Sequence, residues 1–400
     1  MTETAGAVLF LPREGNRRTL MLEDILFDPA ALWLSKALEE AGFSRFLVVC
    51  HQDDREGAAA CFPKGTEFIT TGTEDARERL LTFLEQNERV AAITQPVFLP
   101  WGALPRLRCG QTELPPEDRR AHRLERTAPQ CHGVYEFTPA GRQALQDGGG
   151  IQEVLSAHCR PYEECFFWVD EFSLFGELQT QAKTFSVQRL RSGGVRFLDP
   201  QNTYVGPCVT VGEGTLLLPG TILKGNTVIG EGCEIGPHTV IRDCTVGDRV
   251  VVNASQLNES TIRAGAKIGP FAYVRPNCKV GRDVKVGDFV ELKNSTIGDG
   301  TKISHLTYVG DSDVGGGVNF GCGTVTVNYD GLAKFRTTIG DNAFIGCNTN
   351  LVAPVKIGDG AYTAAGSTIT DDVPPDSLAI ARSVQVVKKQ WAAKRRSRRK

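Results

Sequence analysis

The chain has 400 residues, room for about two to three domains, with 41% hydrophobic and 23% charged residues, the composition of a globular protein. Its 45 basic and 47 acidic residues leave a formal charge of −2, against a generally basic nucleic-acid-binding chain. No apolar run nears the ~20 residues that span a bilayer, and the N-terminus lacks a signal-peptide pattern, so neither a membrane nor a nucleic acid is expected as partner.

In chain order, Ala7–Leu11 reads as an apolar strand, Pro29–Ala41 as a helix ending at Gly42, and Phe46–Cys50 as a second strand. Asp75–Gln86 is a further helix and Val90–Thr94 a further strand. This alternation predicts a parallel sheet with helices on its faces, an α/β domain over residues 1–195. Residues 111–130 are polar and proline-bearing, as in an exposed loop, and Gly148–Gly150 breaks the chain before a helical Ile151–His158.

Such a sheet binds ligands beyond the carboxyl ends of its strands. A nucleotide there needs glycines after the first strand, but the sequence has Pro12, Arg13, Glu14, Gly15 and Asn16. Proline removes a backbone donor, and Glu14 puts negative charge where a triphosphate would lie unless Arg13 or Arg17 neutralises it.

Glycine is uneven. Of 43 glycines, 27 fall between Gly206 and Gly366. There an aliphatic residue returns every six positions, from Val205 through Val211, Leu217, Leu223, Ile229, Ile235 and Ile241. After short slips the count resumes at Ile262, Ile268, Val274, Val280, Val286 and Leu292, and again at Ile339, Ile345, Leu351, Ile357 and Ile369. This period suits a left-handed parallel β-helix over residues 196–383, an all-β prism of three flat faces with the aliphatic residues stacked inside. Glycine often follows the aliphatic residue, as in Val211-Gly212 and Ile357-Gly358, where it is expected to permit the corner geometry. The phase breaks between Val314 and Ile339, and Val325–Thr338 reads as an excursion carrying Asn328, Tyr329, Lys334 and Arg336, groups suited to phosphate or nucleotide recognition.

The twelve cysteines never occur as Cys-x-x-Cys, which indicates neither a zinc site nor a disulfide framework and fits a reducing cytoplasmic setting. Residues 384–400 form a basic tail; Lys388–Lys400 holds eight Lys or Arg in thirteen residues, the pattern of a solvated end or of a lure for phosphates.

The chemistry concentrates between Gly269 and Tyr329. Arg275 precedes Pro276, Lys293 lies in FVELKN, His305 and Tyr308 in HLTY, Asn319 in VNFGCGT, and Asn328 and Tyr329 in NYDG. On these strings, residues Asp199–Trp391 resemble the acetyltransferase half of the bacterial bifunctional enzymes that make UDP-N-acetylglucosamine. The resemblance implies acetyl transfer from acetyl-CoA, as cosubstrate, to the amine of glucosamine-1-phosphate, with no metal. It makes His305 the catalytic base, and an imidazole suits removal of the amine proton near neutral pH. Arg275, Lys293 and Lys334 would surround the sugar phosphate, and Tyr308 and Asn319 would complete the sugar site. Asn328 and Tyr329 would meet substrate and acetyl-CoA, and Cys322, Cys347, Ala365, Arg382 and Lys388 would lie along acetyl-CoA. A lone His238 in GPHT reads as structural.

Cys322 stands where these relatives commonly have alanine and Cys347 where they have serine, one sparing a backbone contact and the other weakening a hydroxyl bond. Neither reads as a nucleophile, because direct attack by the amine suffices. In the first half the family's LAAGKGTRM loop becomes Leu9–Arg17, LFLPREGNR, and its PKVL lysine has no counterpart. The metal-binding aspartate of GDVPL falls at Pro96, the sugar-contacting asparagine at Cys131, and the second metal-site asparagine has no match near Glu171–Gln179. The expectation is a nucleotidyltransferase-like fold that has lost uridyl transfer; magnesium would be needed only if that activity survives. A homotrimer with sites between neighbouring prisms is expected, with Ala365 and Arg382 reaching a neighbour's cleft. The alternatives left open are a bifunctional enzyme, a hexapeptide acyltransferase for another amino sugar, and a non-catalytic scaffold.

Overall fold

A computed structural model describes residues 5–13, 15, 17–94, 97–98, 133–161, 167–168 and 175–397. Glu14, Asn16, Pro96, Cys131, Glu171, the loop 111–130 and the tail residues 398–400 lie outside the described residues. The chain divides into two compact units, Met1–Val211 with Ile222–Thr227, and Gly212–Thr221 with Val228–Lys400.

In the first unit, β1 (Ala5–Leu11), α1 (Ala30–Glu40), β2 (Arg45–Cys50), β3 (Glu67–Thr70), α2 (Ala76–Gln86) and β4 (Arg89–Ile93) alternate as expected. Gly42 ends α1 with a φ of 89°, a left-handed position that glycine adopts without strain. Two short strands extend the sheet, β5 (Val134–Glu136) antiparallel to β4 and β6 (Arg160–Pro161) antiparallel to β5, giving the order β3-β2-β1-β4-β5-β6. The central strands are parallel. Both faces of β1 are buried, which is why it reads as a continuous apolar run. Ala7, Leu9 and Leu11 join Trp33, Leu34 and Leu38 of α1 in one core. Val8 packs in the other with Phe83 and Leu84 of α2 and Val154 and Leu155 of α3 (Ile151–His158).

The second unit is a left-handed parallel β-helix. Equivalent residues lie one coil apart: Ile262 pairs with Val280 and Val274 with Leu292, eighteen residues or three hexapeptides on. The slips in the sequence pattern are sides one residue short. Val246, Val252 and Leu257 continue the inward ladder between Ile241 and Ile262, and all are buried. Many coils therefore span seventeen residues, as in Val286 to Ile303 and Ile303 to Phe320.

Two sequence expectations need correction. At Gly212, Gly287, Gly298 and Gly358 the glycine after the aliphatic residue is required by close approach rather than by corner dihedrals, whereas Gly236 (φ 114°) and Gly269 (φ 100°) combine close approach with a left-handed backbone. A Cβ at Gly298 would lie 2.3 Å from the Gly315 carbonyl carbon, and one at Gly358 would lie 2.4 Å from the Pro375 nitrogen. The left-handed corner comes two residues later, at Gly300 (φ 70°) and Gly360 (φ 64°). The excursion is also shorter than Val325–Thr338. Val325–Val327 is a coil strand paired with Asn350–Val352, and Thr337–Ile339 is the next, so only residues 328–336 leave the coil.

Gly298→Ala should destabilise the protein by about 1–3 kcal/mol, because backbone cannot move aside for the methyl. Gly300→Asn, at an open left-handed corner, should cost roughly 0.5 kcal/mol or less. Denaturant unfolding of the two variants distinguishes close approach from corner geometry as the glycine requirement.

Candidate functional site

Two long strands position the chemistry. Lys285–Lys293 (β7) and Lys302–Gly310 (β8) run parallel in register, setting Asp288 beside His305 and Glu291 beside Tyr308. Nδ1 of His305 lies 2.6 Å from Oδ1 of Asp288. That bond holds the Asp288 carboxyl below its ordinary range and leaves Nε2 as the other ring nitrogen of a half-exposed imidazole.

Three residues along β8, about 10 Å at ~3.3 Å per residue, is a cluster of cations. Arg275 is held at 2.9 Å by Glu291. Lys293 lies 3.8 Å from Asp311. The neighbouring Lys334 amine, then burial, push the Lys293 ammonium down, with Asp311 opposing. Asp311 is the anchor. Burial alone would raise its carboxyl, but donors from Asn294 (2.5 Å) and Asn328, with Lys293 and Lys334, hold it low. Asn328 also approaches the Tyr308 hydroxyl at 3.5 Å. Burial raises that phenol.

Cys322, Cys347 and Ala365 share one corner of the prism with Asp288 and His305. From the pairings of Val286, Ile303, Phe320, Ile345 and Thr363, each residue two further on lies on successive coils: Asp288, His305, Cys322, Cys347 and Ala365. Backbone bonds continue the corner, Asn348 N–H to Cys322 O at 2.7 Å and Gly366 N–H to Cys347 O at 2.8 Å. Arg382 follows, its Cδ 3.7 Å from where a Cβ at Gly366 would stand. Cys322, Cys347, Ala365, Arg382 and Lys388 are all exposed. Asn319 is half-buried between Lys302 and Phe344 of the adjoining coils. Tyr329 is exposed, its hydroxyl donating to the Gly331 carbonyl at 2.6 Å within the excursion. His238 occupies a left-handed corner (φ 49°).

The description "Bacterial transferase hexapeptide (six repeats)" matches residues 208–243, 259–294 and 336–371. The chain is 53% identical over 208 residues to the "Bifunctional protein GlmU" of Clostridium novyi (strain NT), covering 52% of this chain and 46% of that protein. To the protein of the same name from Geobacillus thermodenitrificans (strain NG80-2) it is 43% identical over 270 residues, 68% of this chain and 58% of that one. Over about half of its length or more the chain is similar to the bifunctional GlmU proteins. It spans about half the length of the curated relatives it matches.

Beside this similarity to GlmU proteins, the structure adds residues that the sequence pattern did not single out: Asp288, Glu291, Asn294 and Asp311. The signal was present, since each lies seventeen residues from a partner it meets: His305, Tyr308, Asp311 and Asn328. Reading it needed the shortened coil. Arg336, grouped in the sequence with phosphate-binding candidates, is already engaged. Its guanidinium forks onto Asp313 at 2.8 and 2.6 Å and donates to the Asn294 carbonyl, tying down the end of the excursion. In the first unit Arg13 forks onto Asp54 at 2.6 and 2.8 Å and reaches Asp53 at 3.3 Å. Among the described residues no three His, Cys, Asp or Glu side chains are grouped to hold a metal ion, and no helix is long and apolar enough to cross a membrane.

The Asp288–His305 pair has a direct signature. By carboxyl-carbon NMR, Asp288 should titrate below the ordinary value of about 3.9 and move up towards it in His305→Ala. The sign follows from a depressed carboxyl: the pairing contributes above the ordinary pKa and is lost as pH falls through the lowered one.

Proposed function

We propose that this chain transfers the acetyl group of acetyl-CoA to the amine of glucosamine-1-phosphate, giving N-acetylglucosamine-1-phosphate for UDP-N-acetylglucosamine synthesis, and CoA. The observation that carries this reading is the Asp288–His305 pair across β7 and β8, with the Arg275, Lys293 and Lys334 cluster three residues further along β8. Nδ1 of His305 is bound to Asp288, so Nε2 takes the proton from the amine as nitrogen attacks the thioester carbonyl, and then returns it to the CoA thiolate. Asp288 steadies the imidazolium. Two ammonium groups in contact repel, and a phosphate dianion between them removes that cost, so the cluster favours a phosphorylated sugar over a neutral one. The corner from His305 to Arg382 spans four coils, about 19 Å at ~4.8 Å each, a track for an extended pantetheine arm ending at cations.

In the first unit the Arg13–Asp54 fork occupies the carboxyl end of β1, where the relatives' phosphate loop would need free backbone donors. From Pro12 and the Arg13 clasp in place of a glycine loop we infer that uridyl transfer is lost. One assay tests both readings. Thiol release should require glucosamine-1-phosphate, and His305→Ala should lower kcat by about 10² or more. The same preparation, given UTP, magnesium and N-acetylglucosamine-1-phosphate, should release no pyrophosphate. Absence of thiol release with any amino sugar phosphate would refute the acetyltransferase reading.

The prism also leaves apolar rings in water. Phe271 and Phe289 stack at 5.6 Å and Phe344 and Tyr362 at 5.2 Å, all exposed on a single chain. Burying such ladders favours a homotrimer, with each cleft shared between prisms. Mixing subunits carrying His305→Ala with subunits carrying Arg382→Ala should then regain activity that neither parent has, whereas a fully active monomer in sedimentation equilibrium would exclude sharing.

A further inference from the structure

Cys322 and Cys347 differ from every other described cysteine. Cys50, Cys61, Cys159, Cys233, Cys244 and Cys278 are buried and Cys208 is half-buried, but these two are exposed. Burial pushes the interior thiols up, Cys61 and Cys244 to about 11, and so away from reactive thiolate. The pairing of Phe320 with Ile345 sets Cys322 and Cys347 at the same position on consecutive coils. The Asn348 N–H to Cys322 carbonyl bond ties the two backbones together at that corner. Neighbouring strands lie ~4.8 Å apart, inside the Cα separation of about 4.4–6.8 Å that a disulfide spans. Although 25 residues separate them in sequence, nothing intervenes in space, because the excursion leaves the coil elsewhere and returns at Thr337.

We propose that Cys322 and Cys347 form a vicinal dithiol, a modification site that closes to an intrachain disulfide with a low-molecular-weight disulfide of the glutathione or CoA-disulfide class. One cysteine thiolate attacks the small disulfide, breaking its S–S bond and releasing one thiol. The second thiolate then attacks the resulting mixed disulfide at the protein sulfur and releases the other thiol. The protein loses two protons and two electrons, and the small disulfide takes them up to become two thiols. His305 lies one coil before Cys322 on the same corner and supplies a base for the first proton. The consequence for activity rests on the acetyl-CoA track proposed above: the disulfide stiffens and fills the middle of that track, so the oxidised protein does not seat the thioester.

The test uses the full chain incubated with oxidised glutathione, quenched with an alkylating agent and digested with trypsin without reduction. Cleavage at Lys334 and Arg336 separates the two cysteines, so the expected product is a pair of linked peptides, absent in Cys347→Ser. In that variant Cys322 should instead retain glutathione as a mixed disulfide. Stable glutathione on Cys322 or Cys347 of the unmodified sequence, with no linked pair, would overturn the dithiol. Acetyl transfer should fall in proportion to the linked fraction and return with dithiothreitol, and acetyl-CoA present during oxidation should slow linking. A linked protein of undiminished activity would overturn the gating. If linking occurs but no acetyl transfer is seen in either redox state, the dithiol stands and the acetyltransferase reading fails.

Discussion

The register of the coil is the constraint on which everything else in the second unit depends. Each inward aliphatic residue stacks on its equivalent one coil later, sixteen to eighteen residues on and twenty-five across the excursion, and the backbone bonds between coils fix that offset. A parallel ladder lets no strand slip by one residue without turning its core side chain to water. Because the offset is rigid, so is the position of every outward side chain relative to those one coil away. Asp288 meets His305, and Cys322 meets Cys347, for the same reason that Val286 meets Ile303 and Phe320 meets Ile345.

That rigidity explains how exposed polar groups form an ordered site. Strands alone would display Arg275, Lys293 and Lys334 as solvated cations. Here Glu291 and Asp311 are delivered to them by the coil offset, and Asn294 and Asn328 lock Asp311 in turn. The acids restrain the side chains without cancelling the positive field: three cations gather near two carboxylates, and the Lys293–Lys334 contact keeps one ammonium under strain. Preorganised excess charge of this kind suits a dianion.

The first unit shows how a fold outlives a loop. Its two cores depend on side chains from β1, α1 and α2, none of which belongs to the segment after β1. The sheet therefore forms with Pro12 and Arg13 where glycines would serve a nucleotide, and Arg13 turns that end of the sheet into an ion-pair clasp with Asp54.

The sequence by itself determined the repeat, the excursion, the α/β alternation and the string that points to His305, because each is written in local pattern: period six, glycine placement, apolar runs and short motifs. It did not disclose Asp288, Glu291 or Asp311, nor Arg336 as a clamp on Asp313. Those pairings cross one coil or more, and their distance in sequence depends on how many sides are one residue short, which shows only when coils are stacked. The role of glycine was likewise decided in three dimensions. A pattern of glycine after valine or isoleucine is compatible with a bend or with a close neighbour, and only the backbone of the next coil, 2.3 Å from a Cβ at Gly298, chooses the second.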